Sequence, residues 1–204
     1  MGIVNQERFD SGLTYEQWKA QMTRNQERHN ANERGVTLGE QELAPFKSLS
    51  RPINVLMLAE DWCGDVIANT PIIGRIASEV DTLNLRVFLR DQNTDLMDAY
   101  LNQGKYKSIP TVVFFDEEFN ELGRWVERPA SVTKLREKKR QAIYRDNPEF
   151  GSPGDPVDGL PEDARIRLTQ AITAMRDETK AWADQEVVRE IGELVASFKT
   201  KVKA

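Results

Sequence analysis

The chain is poor in the side chains that usually carry redox and metal chemistry: 204 residues include one cysteine, Cys63, and one histidine, His29. A single thiol can form neither an intrachain disulfide nor a cysteine-rich zinc site, so any thiol chemistry here involves a second molecule. A metal site from Cys63, Asp65 and His29 has no ligand spacing in its favour, and the chain is read as holding neither metal nor cofactor. Long apolar runs are also lacking. No stretch approaches a membrane span, and the opening MGIVNQERFDSG has no apolar core of the secretory type. Positive charge is in deficit, with 28 Lys and Arg against 33 Asp and Glu and a formal charge of −5. The basic residues are interspersed with acidic ones, and the densest cluster, KLREKKR from Lys134 to Arg140, reads as a solvated helix face. The expectations are a cytoplasmic protein with no membrane partner and no nucleic-acid partner.

What is present, 39% apolar and 30% charged residues, describes one globular core domain with additions. From Thr14 to about Glu33 the pattern predicts a helix with a capping box at Thr14 and Gln17, Trp18 and Met22 on one face, and Gly35 at its end. Gly39 to Leu49 reads as a second helix, interrupted by Pro45. Ile53 to Leu58, INVLML, is a buried strand. Ile67, Ile72, Ile73, Ile76 and Ala77 then make a helical face kinked at Pro71. Leu83 to Asp91 alternates like a strand, and Asp95 to Gln103 reads as a helix closing at Gly104. Pro110 to Asp116 and Glu121 to Glu127 flank a polar turn and predict a hairpin. Ser131 is expected to cap a last core helix carrying Val132, Leu135 and Ile143. This order suits a mixed sheet covered on both faces.

The Pro- and Gly-rich stretch after Tyr144 reads as a linker or wrapping loop. Pro161 then opens a helical pattern running through Leu168, Ile172, Met175, Trp182, Val188, Ile191, Val195, Phe198 and Val202. The expected divisions are an N-terminal helical extension (1–36), a core domain (37–145), a linker (146–160) and a C-terminal helical arm (161–204), a long helix or a helical hairpin. The stripe of the arm packs on the core, with homodimerisation as its rival role.

The segment AEDWCGDVIANTP, Ala59 to Pro71, sets Cys63 at the start of a helix that follows a buried strand. Exposed amides and the positive end of the helix dipole favour a thiolate there. Gly64 allows another backbone to approach the sulfur, and Trp62 provides a wall beside it.

Taken with DQNTD after the second strand and SIPTVVFF before the hairpin, this segment resembles the thioredoxin family, in a branch carrying EDWCGD in place of WCGPC. The resemblance covers about residues 37–145. It implies an α/β thioredoxin fold, a mixed central sheet flanked by helices, with an N-terminal helix and a C-terminal helical extension outside it. It implies Cys63 as nucleophile, supported by Trp62, Gly64, Asp65 and a cis Pro110, with Ile109 and Thr111 as substrate-facing backbone. The departures matter. Val66 stands where the resolving cysteine would be, which removes the two-cysteine cycle. The Asp65 carboxylate opposes the thiolate, so Cys63 is expected to be less acidic than in a typical member. The strand INVLML lacks the family's buried acid; Glu60 and Asp61, as loop residues, are expected to be solvated, and Arg128 to be an ordinary surface arginine.

Two functions compete. One is a monothiol oxidoreductase whose partners are protein or small-molecule thiols and disulfides, with an external thiol resolving the adduct. The other is a redox-inactive peptide- or protein-binding module using the groove between Cys63 and Pro110. A peroxide-sensing thiol ranks third.

Overall fold

The computed structural model describes residues 2–201, with side chains as far as Phe198; Val202, the end of the expected apolar stripe, lies outside the described residues. Alternating patterns and buried apolar runs give four strands: β1 (Ile53–Ala59), β2 (Leu83–Leu89), β3 (Thr111–Phe115) and β4 (Glu121–Val126). They form one mixed sheet in the order β2-β1-β3-β4. β1 pairs with β2 in parallel and with β3 antiparallel, and β3 and β4 form the expected hairpin. Helix α5 (Gly64–Glu79), with Pro71 inside it, makes the crossover from β1 to β2. β1 is buried at every residue, as a central strand covered on both faces must be.

The chain forms two compact units. The first comprises residues 1–128 and 187–204, the second Pro129–Glu186. This division cuts across the expected boundaries at 36, 145 and 160. The first 36 residues supply Val4, Phe9, Trp18 and Met22 to the core of the first unit. They form three helices where the sequence suggested one: α1 (Gln6–Asp10), α2 (Tyr15–Ala20) and α3 (Gln26–Gly35). The Thr14 and Gln17 capping box is present. The helix stops at Ala20, and the chain turns through Asn25 in the left-handed region, φ 56°. α4 (Glu40–Lys47) tolerates Pro45. α6 (Thr94–Ala99) ends four residues early, because the backbone leaves the helical region at Tyr100, φ −118° and ψ 34°, and then enters a tight loop closed by Asn102 and Tyr106 in which Gln103 and Gly104 take positive φ.

α9 (Lys180–Lys201) begins in the second unit, and from Val187 onward it belongs to the first. Val187, Val188, Ile191, Val195 and Phe198 are buried there. Phe198 meets Phe114 at 5.6 Å between ring centroids, and the Trp125 indole N–H donates to Glu190 at 2.6 Å. Gly123 of β4 makes this approach possible, since a Cβ there would sit 2.9 Å from Leu194. The neighbouring Phe115 points to the other face of the sheet, toward Phe119 and Tyr100.

The second unit contains α7 (Ala130–Asp146), α8 (Glu162–Glu178) and the first turns of α9. α8 runs into α9 through Thr179 alone, whose backbone stays in the right-handed helical region and whose N–H and carbonyl bond to Met175 and Ala183, so the chain makes no hairpin turn there. Ser131 does not cap α7; Pro129 is the N-cap residue, and the Ser131 hydroxyl donates to Glu186 instead. The Pro-rich stretch wraps: it has two short 3₁₀ turns and inserts Phe150 among Tyr144, Ala164 and Leu168. Trp182, on the expected apolar stripe, is exposed. No described helix is long and apolar enough to cross a membrane.

Candidate active site

The C-terminal end of β1 delivers a four-residue turn, Glu60 to Cys63, that α5 continues. The Cys63 N–H donates to the Glu60 carbonyl at 3.3 Å, and Cys63 is the N-cap residue of α5 with an extended backbone. Its thiol is half-buried and donates to the Ile109 carbonyl at 3.5 Å. Ile109 precedes Pro110 through a cis peptide bond, so the sulfur faces the backbone turn that opens β3. Trp62, 40% exposed, flanks the sulfur's turn under the Arg90 guanidinium, 4.6 Å from the ring centroid. Arg90 also pairs with Asp91 at 2.7 Å. Gly64 is exposed at the first position of α5. Thr111 is wholly buried, backbone included, and its hydroxyl donates to the Ser108 carbonyl at 2.8 Å. Val66 is wholly buried one turn into α5.

The balance of effects on the sulfur differs from what a helix N-terminus alone suggests. Burial pushes the Cys63 thiol up from its ordinary range; the Val66 and Asp65 amides pull it down, and the carboxylates of Asp65 and Glu127 push it up again. Desolvation outweighs the helix end, so the fold favours the neutral thiol more than a free cysteine's surroundings do.

Three residues read as bystanders are built into this site. Arg128 is not an ordinary surface residue: its Nη1 donates to Asp65 at 2.5 Å and its Nη2 to Glu127, with the Asp65 side chain only 13% exposed. Glu60 is not solvated. Lying at the end of a central strand, it is nearly buried and accepts the Asp91 N–H at 2.8 Å, and burial raises its pKa. Asp61 is committed as well: its carboxylate accepts the N–H groups of Thr23 and Arg24 at 2.7 and 2.9 Å, and its carbonyl accepts the Asn25 amide. The N-terminal segment is thereby fastened to the cysteine turn.

Two further residues escaped sequence reasoning. Glu127 holds a positive φ of 65°, its N–H donates to the Pro110 carbonyl at 2.7 Å, and its own carbonyl accepts the Asn69 side chain at 2.8 Å. Together they tie α5, the cis-proline turn and the Arg128 loop into one frame. Nothing in the spacing of Asn69 or Glu127 signals this, because both act through backbone partners distant in sequence.

His29 is placed away from Cys63, wholly buried between Tyr15 and Thr70, with Nε2 at 3.1 Å from the Tyr15 hydroxyl and 3.2 Å from Thr70 Oγ1. Thr70 spends its proton on the Val66 carbonyl at 2.7 Å, so it can only accept from the imidazole; Nε2 carries the hydrogen. Burial lowers the His29 pKa. No cluster of three His, Cys, Asp or Glu among the described residues could hold a metal ion.

Comparison with known proteins follows the same lines. A family model described as thioredoxin matches residues 12–140, more than half of the chain. A search of curated proteins finds no match. Among solved structures, a Pseudomonas aeruginosa protein of unknown function is similar at a TM-score of 0.58 and 20% identity, covering 84% of this chain and 99% of that one. An HIV epitope-scaffold is similar at a TM-score of 0.59 and 16% identity, covering 94% and 96%. At these identities the likeness is one of fold.

Proposed function

The chain belongs to the thioredoxin family and has its α/β fold, and from that premise we propose that it is a monothiol thiol-disulfide oxidoreductase of the branch carrying EDWCGD, acting through Cys63. The observation that carries the proposal is the Cys63 thiol at the start of α5, 3.5 Å from the carbonyl before cis Pro110, with a buried Val66 where a second thiol would be needed.

The chemistry runs in two exchanges. Cys63 loses its proton to solvent, and the thiolate attacks one sulfur of a disulfide R–S–S–R′. A Cys63–S–S–R bond forms, the R–S–S–R′ bond breaks, and R′S⁻ leaves. An external thiolate R″S⁻ then attacks the sulfur of R, forming R–S–S–R″ and returning Cys63 as thiolate. The amides of Asp65 and Val66 stabilise the negative sulfur, and Arg128 offsets the two carboxylates that oppose it. Trp62 and the Ile109–Pro110 turn provide the walls between which R sits. The partners are protein or small-molecule thiols and disulfides.

Intact-mass measurement tests this. Exposure to glutathione disulfide gives one glutathione adduct on the wild-type chain and none on Cys63→Ser, and reduced glutathione removes it. A folded wild-type chain that takes up no adduct overturns the proposal.

The second reading, a redox-inactive module that binds an extended peptide in the same groove, draws on the raised thiol pKa. It requires Cys63→Ala to keep every partner that Pro110 substitutions lose.

A further inference from the structure

We propose that the first unit carries a second site, a cleft for a compact oxyanion built at the far half of α5 and unconnected with thiol exchange. The cleft has a volume of about 530 Å³, within the range of roughly 300–1,000 Å³ typical of small-molecule sites. Gly74 on its wall is ten residues beyond Gly64, about 15 Å along the helix at 1.5 Å per residue. Tyr15, Arg34, Arg75, Asn84, Leu85 and Arg86 bring to it an aromatic ring, three guanidinium groups and the outer edge of β2. Gly74 lets the ring lie close against α5, since a Cβ there would sit 2.3 Å from Tyr15.

The backbone of β2 supplies the donor. β2 is an edge strand. Its even-numbered residues turn toward β1: the Thr82 carbonyl accepts from Ile53 at 2.8 Å, and the Arg90 N–H donates to Ala59 at 3.4 Å. Residues 83, 85, 87 and 89 therefore turn outward. Val87 exchanges both of its bonds with Leu13, and the Leu83 N–H donates to the Val80 carbonyl. The Leu85 carbonyl accepts Arg86 Nη1 at 3.1 Å. That leaves the Leu85 and Leu89 N–H groups as outward amides of this edge without a protein acceptor among the described residues, and of the two Leu85 lies in the cleft, where positive groups outnumber negative ones.

The charge state of the lining favours an anion. The acidic residues there, Glu16 and Glu33, are both held by Lys19 Nζ, at 2.9 and 3.0 Å. Arg75 reaches Glu79 only at 3.7 Å, with the two side chains 40% and 46% exposed, a pair that solvent screens. Arg34 has no acidic partner among the described residues. An acceptor oxygen on the Leu85 amide with guanidinium groups around it is the chemistry of a carboxylate or phosphate monoester.

Titration of the ¹⁵N-labelled full chain with succinate and, separately, inorganic phosphate tests the site. The Leu85 amide resonance is expected to shift and saturate while that of Gly64 stays in place; the anion that saturates identifies the group recognised. Arg34→Gln with Arg75→Gln, both at partly or fully exposed positions, is expected to weaken that binding at least tenfold with an otherwise unchanged spectrum. Absence of a saturating shift up to about 10 mM of either anion, well above the Kd of a millimolar site, overturns the proposal. So does a Leu85 shift that survives both substitutions.

Discussion

The two halves of α5 are put together differently. Its first turn is framed by backbone: the Ile109 carbonyl on the sulfur, the Pro110 carbonyl on the Glu127 amide, and the Glu127 carbonyl on Asn69. Its middle and far parts are framed by side chains of the N-terminal segment, with Tyr15 against Gly74 and His29 on Thr70. A frame of backbone bonds fixes where a sulfur and its partner meet with little regard to side-chain identity, whereas a frame of large side chains stores its stability in a few residues. The first half can therefore lose a resolving cysteine and keep its geometry, while the second depends on particular aromatic groups.

The sharpest way to break this contrast is Trp18→Ala. Trp18 is almost wholly buried, stacked on Tyr15 at 5.8 Å and edge-on to His29 at 5.3 Å. Truncation is expected to cost about 3–5 kcal/mol of unfolding free energy, read by chemical denaturation, while the folded fraction still forms the Cys63 adduct. A loss below about 1 kcal/mol would show that the N-terminal segment is merely draped on the core.

A smaller effect sharpens the other side. Arg128→Gln removes the positive charge that faces Asp65 and Glu127. The two carboxylates then disfavour the thiolate more strongly, and the midpoint of Cys63 alkylation against pH moves up. Alkylation at pH 7 is expected to slow roughly threefold to tenfold. Asp65→Asn removes one of the opposing charges and moves the midpoint down. If both variants move it in the same direction, electrostatics is not what these residues contribute.

The contrast also explains what was legible in the sequence. Four strands, α5 with its internal proline and the hairpin could be read because burial imposes a period on a strand or helix wherever one face is covered. Cys63, Trp62, Gly64 and Pro110 stood out as one spaced pattern. The break after Ala20 was hidden, because Thr23, Arg24 and Asn25 do not look helix-breaking; their turn exists because Asp61, 36 to 38 residues away, accepts from them. Arg128 was misread for a similar reason. Its partner Asp65 is 63 residues distant, and a polar pair of that kind leaves no periodic trace. The acidity of Cys63 was half legible: the helix end and Asp65 could be weighed in advance, but the burial that dominates both is a property of the folded chain.

The central claim, that a lone thiol in this frame turns over with an external thiol, is tested most directly by catalysis at substoichiometric protein. A peptide carrying a glutathione mixed disulfide, excess reduced glutathione and a small fraction of the protein should give peptide thiol faster than the uncatalysed exchange. The added rate should be proportional to protein, vanish with Cys63→Ser and rise with pH through the elevated thiol range. A rate equal to the uncatalysed exchange at every pH, from a folded chain whose Cys63 is accessible to alkylation, would contradict the account.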